Sequence, residues 1–512
     1  MKAGTLQKRD CPEREVRMPA AVVIGGGLGG LATAIRLQHR GWRVTLCEKN
    51  ETVGGRCDVL QQDGFTFDSG PTLLLMRDVL DDLFRSVGRD PAHYLDLIRV
   101  EPNYGVHFAD GSVLTLSSNP DRVQEEIEGF SPGAGDAFRR YLADAGFKYR
   151  VSRDRFVERN FTSWWQFATP LNLYYLLATH TLRPLEKHAR RYFSDPRLVA
   201  ALTFQTMYLG LAPRDAPSVY SLLPYTEIQE GIWFPRGGMY SIVRALRSLA
   251  GELGVSVQTE SEVTGLSTQN RLVTGVTLLD GRAVGADVVI SNADLPYAYA
   301  HLIPPERRGT FTHRKLRRLN YGSSAFLMFL GLDCEYPQLS HHNVFLSHDV
   351  NRNFDAIFRD RRLPDDPSFY VCAACRTDHT LAPAGRDGLY VLVPVPHGGA
   401  SIDWQRQGEE FKDIVYRRLE AVLGNDFRRH VLFERTLDPR GFASRYNILN
   451  GSAFGLSHNF RQVGYMRPAN KARDFDNLYF VGAATVPGGG VPMVILGSRL
   501  TAQRVNEDWP HG

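Results

Sequence analysis

The hydrophobic pattern begins with a short apolar run and then changes period, and this change predicts the first structural unit. Residues 21–24 are all apolar, which is typical of a buried strand in a parallel sheet. Apolar residues at helical spacing follow between Leu31 and Leu37 and predict an amphipathic helix. A second run over residues 43–47 leads into Glu48. Strand, helix and strand in this order predict a βαβ unit, and therefore an α/β fold with a parallel sheet.

Later segments return to short alternating or apolar runs that are separated by turn residues and by a helical region. An Asp-Gly turn between alternating runs at 104–108 and 112–116 predicts a hairpin. Residues 73–87 have helical character, and residues 121–197 are mostly helical in pattern. Further strands are predicted over 255–259, 272–279, 286–293, 324–332, 343–347, 368–375 and 389–394, followed by a strand that ends at Gly482 and a helix over 493–506.

The turn between the first strand and its helix carries glycines in G-x-G-x-x-G spacing, at Gly25, Gly27 and Gly30. In such a turn the first glycine allows the tight bend, the second lets the backbone approach a pyrophosphate, and the third lets helix and strand pack closely. The helix N-terminus favours the negative charge of the phosphates. Glu48 follows about twenty residues later, where a carboxylate accepts hydrogen bonds from a ribose. The stretch predicts a bound dinucleotide, and the motif alone leaves both NAD and FAD open.

Length, charge and cysteine content narrow the classes of function. A chain of 512 residues predicts two closely joined domains rather than one simple core. The formal charge of +4 is small for this length and argues against nucleic acid as the main partner. Six irregularly spaced cysteines provide no disulfide framework and favour a reducing, cytosolic setting. Residues 1–17 lack the apolar core of a secretory signal, so we expect them to form a disordered N-terminal extension.

One segment combines aromatic residues with an absence of charge. Residues 161–182 contain no Asp, Glu, Lys or Arg, and they include Trp164 and Trp165. The segment is too polar and too interrupted for a spanning helix, whereas amphipathic aromatic residues suit a membrane interface. Basic residues follow within 183–191, as expected of a surface that faces anionic lipid. The pattern is consistent both with a membrane surface over 161–191 and with a buried apolar lining.

Three short motifs invite interpretations that the sequence does not favour. His341 and His342 are adjacent, so we expect them to point apart on a strand, and no third ligand at suitable spacing is evident. No metal site is therefore predicted. Cys372 and Cys375 have C-x-x-C spacing but continue an apolar run, which favours a structural strand. The Gly-Gly pair at 237–238 precedes a helix and could form a phosphate nest, but close packing of that helix is the favoured interpretation.

Three blocks together resemble one family of flavoproteins. The first is I-G-G-G-L-G-G-L-A-T-A at 24–34 with V-G-G-R-C at 53–57, and the V-G-G-R extension is similar to that of the flavoprotein amine-oxidase superfamily. The others are E-G-I-W-F-P-R-G-G-M at 230–239 and L-Y-F-V-G-A-A-T-V-P-G-G-G-V-P-M-V at 478–494. Taken together, they resemble the bacterial- or fungal-type phytoene desaturases, a family of carotenoid dehydrogenases.

The resemblance implies FAD as the cofactor, bound by a two-part, Rossmann-like domain that is discontinuous in sequence. That domain is expected over 18–110, 225–300 and 470–512, with a helical membrane-facing or substrate-entry region over 111–224 and an α+β substrate domain over 301–469. The residues implied to bind FAD are Gly25, Gly27, Gly30, Glu48, Gly54, Gly55, Arg56, Ser69, Pro71, Val263, Gly482, Val491, Pro492 and Met493.

The activity implied by the resemblance is desaturation of phytoene or a related polyene, by hydride transfer from allylic carbons to the flavin. The substrate would come from the membrane, which implies a peripheral, monotopic association with its cytoplasmic side. The alternatives are a diapophytoene desaturase, a C-3,4 desaturase, a saturase, an isomerase, and a non-enzymatic prenyl-lipid escort protein of the same fold. No residue is assigned as a catalytic base, and a homo-oligomer is possible. Oxygen and a membrane quinone are both open as the electron acceptor.

Overall fold

The computed structural model describes residues 18–510, so the predicted extension at 1–17 lies outside the described residues. The strands in chain order are β1 Ala20–Ile24, β2 Arg43–Cys47, β3 Val59–Gln62, β4 Phe65–Asp68, β5 Leu97–Val100, β6 Tyr104–His107, β7 Val113–Leu116, β8 Ile232–Pro235, β9 Ser256–Gln258, β10 Val263–Gln269, β11 Leu272–Leu278, β12 Ala283–Gly285, β13 Val288–Ser291, β14 Ser324–Leu332, β15 His342–Phe345, β16 Phe369–Cys372, β17 Gly388–Val395, β18 Val431–Leu437 and β19 Leu478–Phe480. The α-helices are α1 Leu28–His39, α2 Arg77–Arg85, α3 Pro120–Phe130, α4 Gly135–Ser152, α5 Trp164–Phe167, α6 Pro170–Ala178, α7 Leu185–Ala189, α8 Pro196–Ala201, α9 Leu222–Gln229, α10 Tyr240–Glu252, α11 Leu295–Tyr297, α12 His313–Arg318, α13 Val350–Asp355, α14 Gln407–Leu423, α15 Pro439–Tyr446 and α16 Val491–Asp508.

A five-stranded parallel sheet in the order β19-β13-β1-β2-β9 forms the nucleotide-binding half. All five residues of β1 are buried, as expected of a strand with neighbours on both sides and helices on its faces. Helix α1 packs against α10 and α16, which come from far along the chain. The predicted α/β class with a discontinuous, Rossmann-like sheet is therefore confirmed.

A second sheet has seven strands in the order β18-β14-β17-β16-β15-β6-β7. The predicted hairpin at 104–116 is present, but it joins this sheet, where β6 runs parallel to β15 with Gly105 opposite Asn343. The boundary that we expected at residue 110 therefore cuts through a hairpin of the second sheet. The Asp-Gly turn is a local signal for the hairpin, whereas its place in a sheet depends on contacts with residues more than two hundred positions away.

The helix expected over 73–87 begins only at Arg77. Its first part is extended instead, because the Leu74 backbone exchanges two hydrogen bonds of 2.9 Å with Trp233. Met76 then takes a left-handed conformation with φ of 48°, which turns the chain into the helix. A pairing partner distant in sequence has thus overridden the local helical pattern.

The uncharged segment at 161–182 forms the short helices α5 and α6 on the surface. Trp165 is 81% exposed and Leu177 is 70% exposed, whereas Phe167 and Leu176 line an internal cavity. The segment therefore contributes side chains to a cavity lining and also presents an exposed apolar surface, and contact of that surface with a membrane stays a prediction. Among the helices within 18–510, none combines the length and the apolar character needed to cross a bilayer.

Candidate functional site

The glycine turn after β1 leaves an open cradle at the carboxyl edge of the parallel sheet. Gly25 has φ of 93°, a conformation that favours glycine, and its N–H donates to the Cys47 carbonyl at 2.7 Å. A Cβ on Gly27 would lie 2.7 Å from Nδ2 of Asn292, and a Cβ on Gly30 would overlap the Gly25 carbonyl oxygen. Gly27 thus keeps the cradle clear, and Gly30 allows α1 to pack on β1. Both features fit the diphosphate of a dinucleotide.

The Glu48 carboxylate lies at the end of β2 beside this cradle. The side chain is buried, with Oε2 accepting the Gly26 N–H at 2.7 Å and Oε1 accepting the Asn50 N–H at 3.0 Å. These two backbone donors fix the carboxylate against the cavity, where each oxygen still has a lone pair for a ribose hydroxyl.

Arg56 places a half-buried positive charge in the same cavity. Its Nη1 donates to the Ala453 carbonyl at 2.9 Å, and burial lowers its pKa while nearby Asp294 opposes that shift. Burial raises the pKa of Asp294 to about 6, and the charge of Arg56 acts against this. A partly enclosed guanidinium that faces the cavity beside Asp294 is suited to an anionic ligand such as a phosphate.

Buried polar side chains form hydrogen bonds to the main chain of residues 483–489, the glycine-rich loop before α16. The guanidinium of Arg467 is buried and donates to main-chain carbonyls, including those of Ala483 and of Thr485, the latter at 3.2 Å. His458 Nε2 accepts the Gly489 N–H at 3.1 Å. The loop is thereby fixed before α16 begins at Val491, with the unpaired N–H groups of an 18-residue helix directed at the cavity.

These elements enclose one cavity of about 1120 Å³. Of the fourteen residues implied to bind FAD, all except Gly30 line it, and Gly30 lies behind the loop in the packing role described above. Ser69 Oγ, which lines the cavity, is buried and has no hydrogen-bond partner within the protein. The residues present fit FAD, although a contact between FAD and each individual residue stays a prediction.

The cavity continues from the nucleotide cradle into the helical region. Apolar side chains of α6, α9 and the turns between them line this part, together with strands of the seven-stranded sheet. The lining residues include Leu176, Phe204, Met207, Val219, Leu222, Leu223, Leu327, Val344, Leu346 and Leu392, together with Phe156 and Phe167, which precede α6. An apolar chamber of this kind is suited to a long hydrocarbon, and exclusion of water from it would strengthen electrostatic interactions at its walls.

The sequence missed Asn292, whose amide group fills the space beneath the glycine turn. It lies close to Gly27, Gly29 and Gly482, and so joins the N-terminal and C-terminal parts of the cradle. A signal existed, because Asn292 directly follows β13, and ligands bind beyond the carboxyl ends of parallel strands.

The helix that follows the Gly-Gly pair at 237–238 is capped by the protein itself. The Asp68 carboxylate accepts the N–H groups of Met239 at 2.8 Å and Tyr240 at 3.1 Å. Burial raises the pKa of Asp68 to about 7, and these two hydrogen bonds act in the opposite direction. The Asp68 carboxylate thus occupies the N-terminus of α10, where a phosphate would otherwise bind. This agrees with the interpretation that the Gly-Gly pair serves helix packing rather than phosphate binding.

The expectation that His341 and His342 point apart is wrong. His341 precedes β15, so the alternation of strand side chains does not apply to it, and the two ring centroids lie 4.2 Å apart. Ligand atoms of both histidines and of Cys372 lie within 4.8 Å of one another. Each Nδ1 contacts a hydroxyl at 2.6 Å, and burial lowers the pKa of His341 to about 3. The absence of a bound metal stays a prediction.

Comparisons with known proteins show which family the chain belongs to. The model of the flavin-containing amine oxidoreductases matches residues 28–506. The chain belongs to this family. Its cofactor is FAD, which the cradle accommodates. The carotenoid desaturases that it matches at 36–43% identity over 96% of its length further show that it is an FAD-dependent oxidoreductase of the carotenoid desaturase type.

Individual relatives are similar in sequence to this chain along almost their whole length. The chain is 43% identical to a zeta-carotene-forming phytoene desaturase of Myxococcus xanthus, over 96% of this chain and 94% of the relative. It is 36% identical to a 4,4'-diapophytoene desaturase of Staphylococcus haemolyticus, over 96% of this chain and 99% of the relative. Among solved structures, an oxidoreductase of Methanosarcina mazei has a TM-score of 0.62 at 20% identity, covering 94% of this chain and 100% of that one, and shows a shared fold.

Proposed function

We propose that this protein desaturates phytoene or a closely related linear polyene. The observation that carries the proposal is the continuity of the FAD cradle with an apolar chamber inside one cavity of about 1120 Å³. A polyene has no group to ionise, so it needs an apolar slot that places its allylic carbons against an oxidant. The bound FAD supplies that oxidant by accepting a hydride.

The protein's own residues would bind and orient the reactants and exclude water from them. Gly25, Gly27 and Glu48 would hold the diphosphate and ribose, and Arg56 would neutralise the anionic end of the cofactor. The apolar walls of the chamber, such as Phe204, Leu222 and Leu327, would exclude water and hold the hydrocarbon extended.

Incubation of the FAD-loaded protein with phytoene in liposomes, followed by chromatography, tests this proposal. We expect products with additional conjugated double bonds. Diapophytoene, the C30 analogue, is the comparison substrate, because one relative is named for it. Unchanged phytoene and diapophytoene in a preparation that carries stoichiometric FAD would contradict the proposal.

We further propose that the protein docks on the cytoplasmic face of a membrane through the surface of α5 and α6. Exposed apolar side chains cluster there, at Trp164, Trp165, Leu171, Leu173, Tyr174, Leu177 and Leu182. The exposed cations Lys187, Arg190 and Arg191 follow directly, as an anionic lipid surface requires. Other faces of these helices line the cavity, so a polyene could pass from lipid to the chamber without crossing water.

Co-sedimentation with vesicles that contain anionic phospholipid tests the docking. Replacement of Trp164 and Trp165 by serine should reduce the bound fraction several-fold, because apolar area is lost from the contact. Leu279→Ser is the matched control, since Leu279 is 70% exposed but lies on a turn of the β10–β12 sheet. Equal binding of the tryptophan variant and the control would overturn the proposed surface.

A further inference from the structure

A chain of buried polar groups leads away from the cavity wall at Tyr208. Tyr208 lines the cavity, and its hydroxyl donates to the Tyr104 hydroxyl at 2.5 Å. The Tyr104 hydroxyl donates in turn to Glu227 Oε1 at 3.3 Å. Tyr104 is 0% exposed and Glu227 is 1% exposed, so Tyr208 connects both to the cavity.

The surroundings of Glu227 are neutral. Oε2 accepts the Gln205 amide at 3.0 Å, and the main-chain carbonyl of Glu227 accepts the Asn103 amide at 2.7 Å. Burial raises the pKa of Glu227 to about 8, while the hydrogen bonds from Gln205 and Tyr104 lower it. The nearby titratable groups are Tyr104, Tyr208 and Tyr141, whose pKa values are all raised, chiefly by burial, with Glu227 itself adding to each shift.

A second hydroxyl chain leaves the same wall but ends differently. The hydroxyls of Thr72 and Tyr370 lie 2.8 Å apart, and the Tyr370 hydroxyl lies 2.6 Å from His342 Nδ1. Burial holds the pKa of His342 well below its usual range, so this imidazole cannot retain a proton at neutral pH. Of the two chains, the one through Tyr208 ends in a group that can accept a proton and keep it.

The position of Tyr208 matches the region where the substrate would react. Thr72 follows Ser69 and Pro71, which are expected beside the flavin, and Thr72 lines the cavity. Tyr370 joins Thr72 to this region, because its hydroxyl lies 2.8 Å from that of Thr72 and 2.6 Å from His342 Nδ1. The His342 and Tyr104 rings lie 5.4 Å apart between their centroids, and Tyr104 accepts the hydrogen bond from Tyr208. The hydroxyl of Tyr208 is thus on the wall of the chamber that borders the predicted flavin edge.

We propose that Glu227 accepts the proton released in each desaturation, through the hydroxyls of Tyr208 and Tyr104; this inference rests on the proposed function. Converting CH₂–CH₂ into CH=CH breaks two C–H bonds and forms one C=C bond. One hydrogen leaves as a hydride, for which bound FAD would be the two-electron acceptor. The other leaves as a proton to the Tyr208 oxygen, while the Tyr208 proton moves to Tyr104 and the Tyr104 proton moves to the Glu227 carboxylate.

The rate of polyene desaturation as a function of pH tests the relay. In the wild type, kcat should rise about tenfold as Glu227 ionises around pH 8. Glu227→Gln keeps the shape of the side chain and one of its two acceptor oxygens, but it cannot take up the proton. It should lower kcat about 100-fold and remove the rise with pH, with KM unchanged. Tyr208→Phe should act in the same direction because it interrupts the chain at the wall.

Two variants serve as matched controls. Glu230→Gln changes a partly buried carboxyl at the end of the same helix, and Tyr141→Phe removes a buried hydroxyl that donates to the Leu202 carbonyl instead. Both should retain the rise of kcat with pH. Bound FAD and melting temperature are measured in every variant, so that a misfolded protein is recognised.

Infrared spectroscopy of the FAD-loaded protein without substrate gives a readout that is independent of turnover. A protonated carboxyl band that disappears around pH 8 should be present in the wild type and in Glu230→Gln and absent from Glu227→Gln. The Asp68 carboxyl, whose pKa is about 7, should contribute the same band in all three proteins. An active wild type whose pH profile survives in Glu227→Gln would overturn the relay alone. An FAD-loaded wild type that converts no polyene would overturn the proposed function and the relay with it.

Discussion

The variant Gly30→Ala tests the packing of the first helix against the first strand. A Cβ at this position would approach the Gly25 carbonyl oxygen nearly one ångström closer than the 3.0 Å below which real Cβ atoms are essentially never found. The obstacle is backbone, and β1 has hydrogen-bonded neighbours on both sides, so it cannot move away without disturbing three strands.

The expected cost is at the upper end of the range for an overpacked core, about 3 kcal/mol. For a domain of a few hundred residues this corresponds to a fall in melting temperature of about 5–10 °C. We expect the fall in the apoprotein as well as with FAD, because the clash is internal, and FAD affinity should decrease because the cradle is displaced.

Thermal melting followed by circular dichroism, with and without added FAD, measures both effects. Gly129→Ala is the matched control: a Cβ there meets no other atom within 4 Å, and the residue lies in α3. This control should be stabilised by about 0.5–1 kcal/mol. A Gly30→Ala protein that melts with the wild type and binds FAD equally well would refute the packing argument.

Three further results are expected. Gly27→Val should abolish FAD loading, seen as loss of flavin absorbance, yet shift the melting of the apoprotein less than Gly30→Ala does, since the amide of Asn292 can move. The free energy of unfolding of the wild type should fall relative to Glu227→Gln as pH rises from 4.5 to about 8, because the unfolded state releases this proton first. Between pH 4.5 and complete ionisation of Glu227, the free energy of unfolding of the wild type should fall by about 5 kcal/mol relative to that of the variant. Denaturation midpoints that change with pH in the same way in both proteins would contradict the raised pKa. Asp68→Ala should lower stability by about 1–2 kcal/mol through loss of the α10 cap, and an unchanged midpoint would exclude that role.

The order of the βαβ unit and the position of its glycines could be predicted because both depend on neighbours along the chain. A strand, a tight turn and a helix each have a local pattern, and Gly25 and Glu48 occupy places that this pattern dictates. The family resemblance then brought together the N-terminal and C-terminal blocks, which the structure places around one cavity.

Other features required contacts between residues far apart in sequence. The hairpin at 104–116 joined the sheet of β15 rather than the nucleotide domain, and the residue at 341 lay outside its strand, so that two histidine rings meet. Asn292 became part of the cradle only because parallel strands end at one edge.

By itself the sequence determined the class of fold, because glycine spacing and apolar runs depend on neighbours along the chain. The cofactor and the kind of substrate followed from the resemblance of three sequence blocks to the carotenoid dehydrogenases. The tertiary structure decided which polar groups face one another inside the chamber. Tyr104, Tyr208 and Glu227 come from two separate parts of the chain, and no spacing rule connects them. Burial of Glu227 in this tertiary arrangement raises its pKa to about 8, which its hydrogen bonds from Gln205 and Tyr104 only partly oppose.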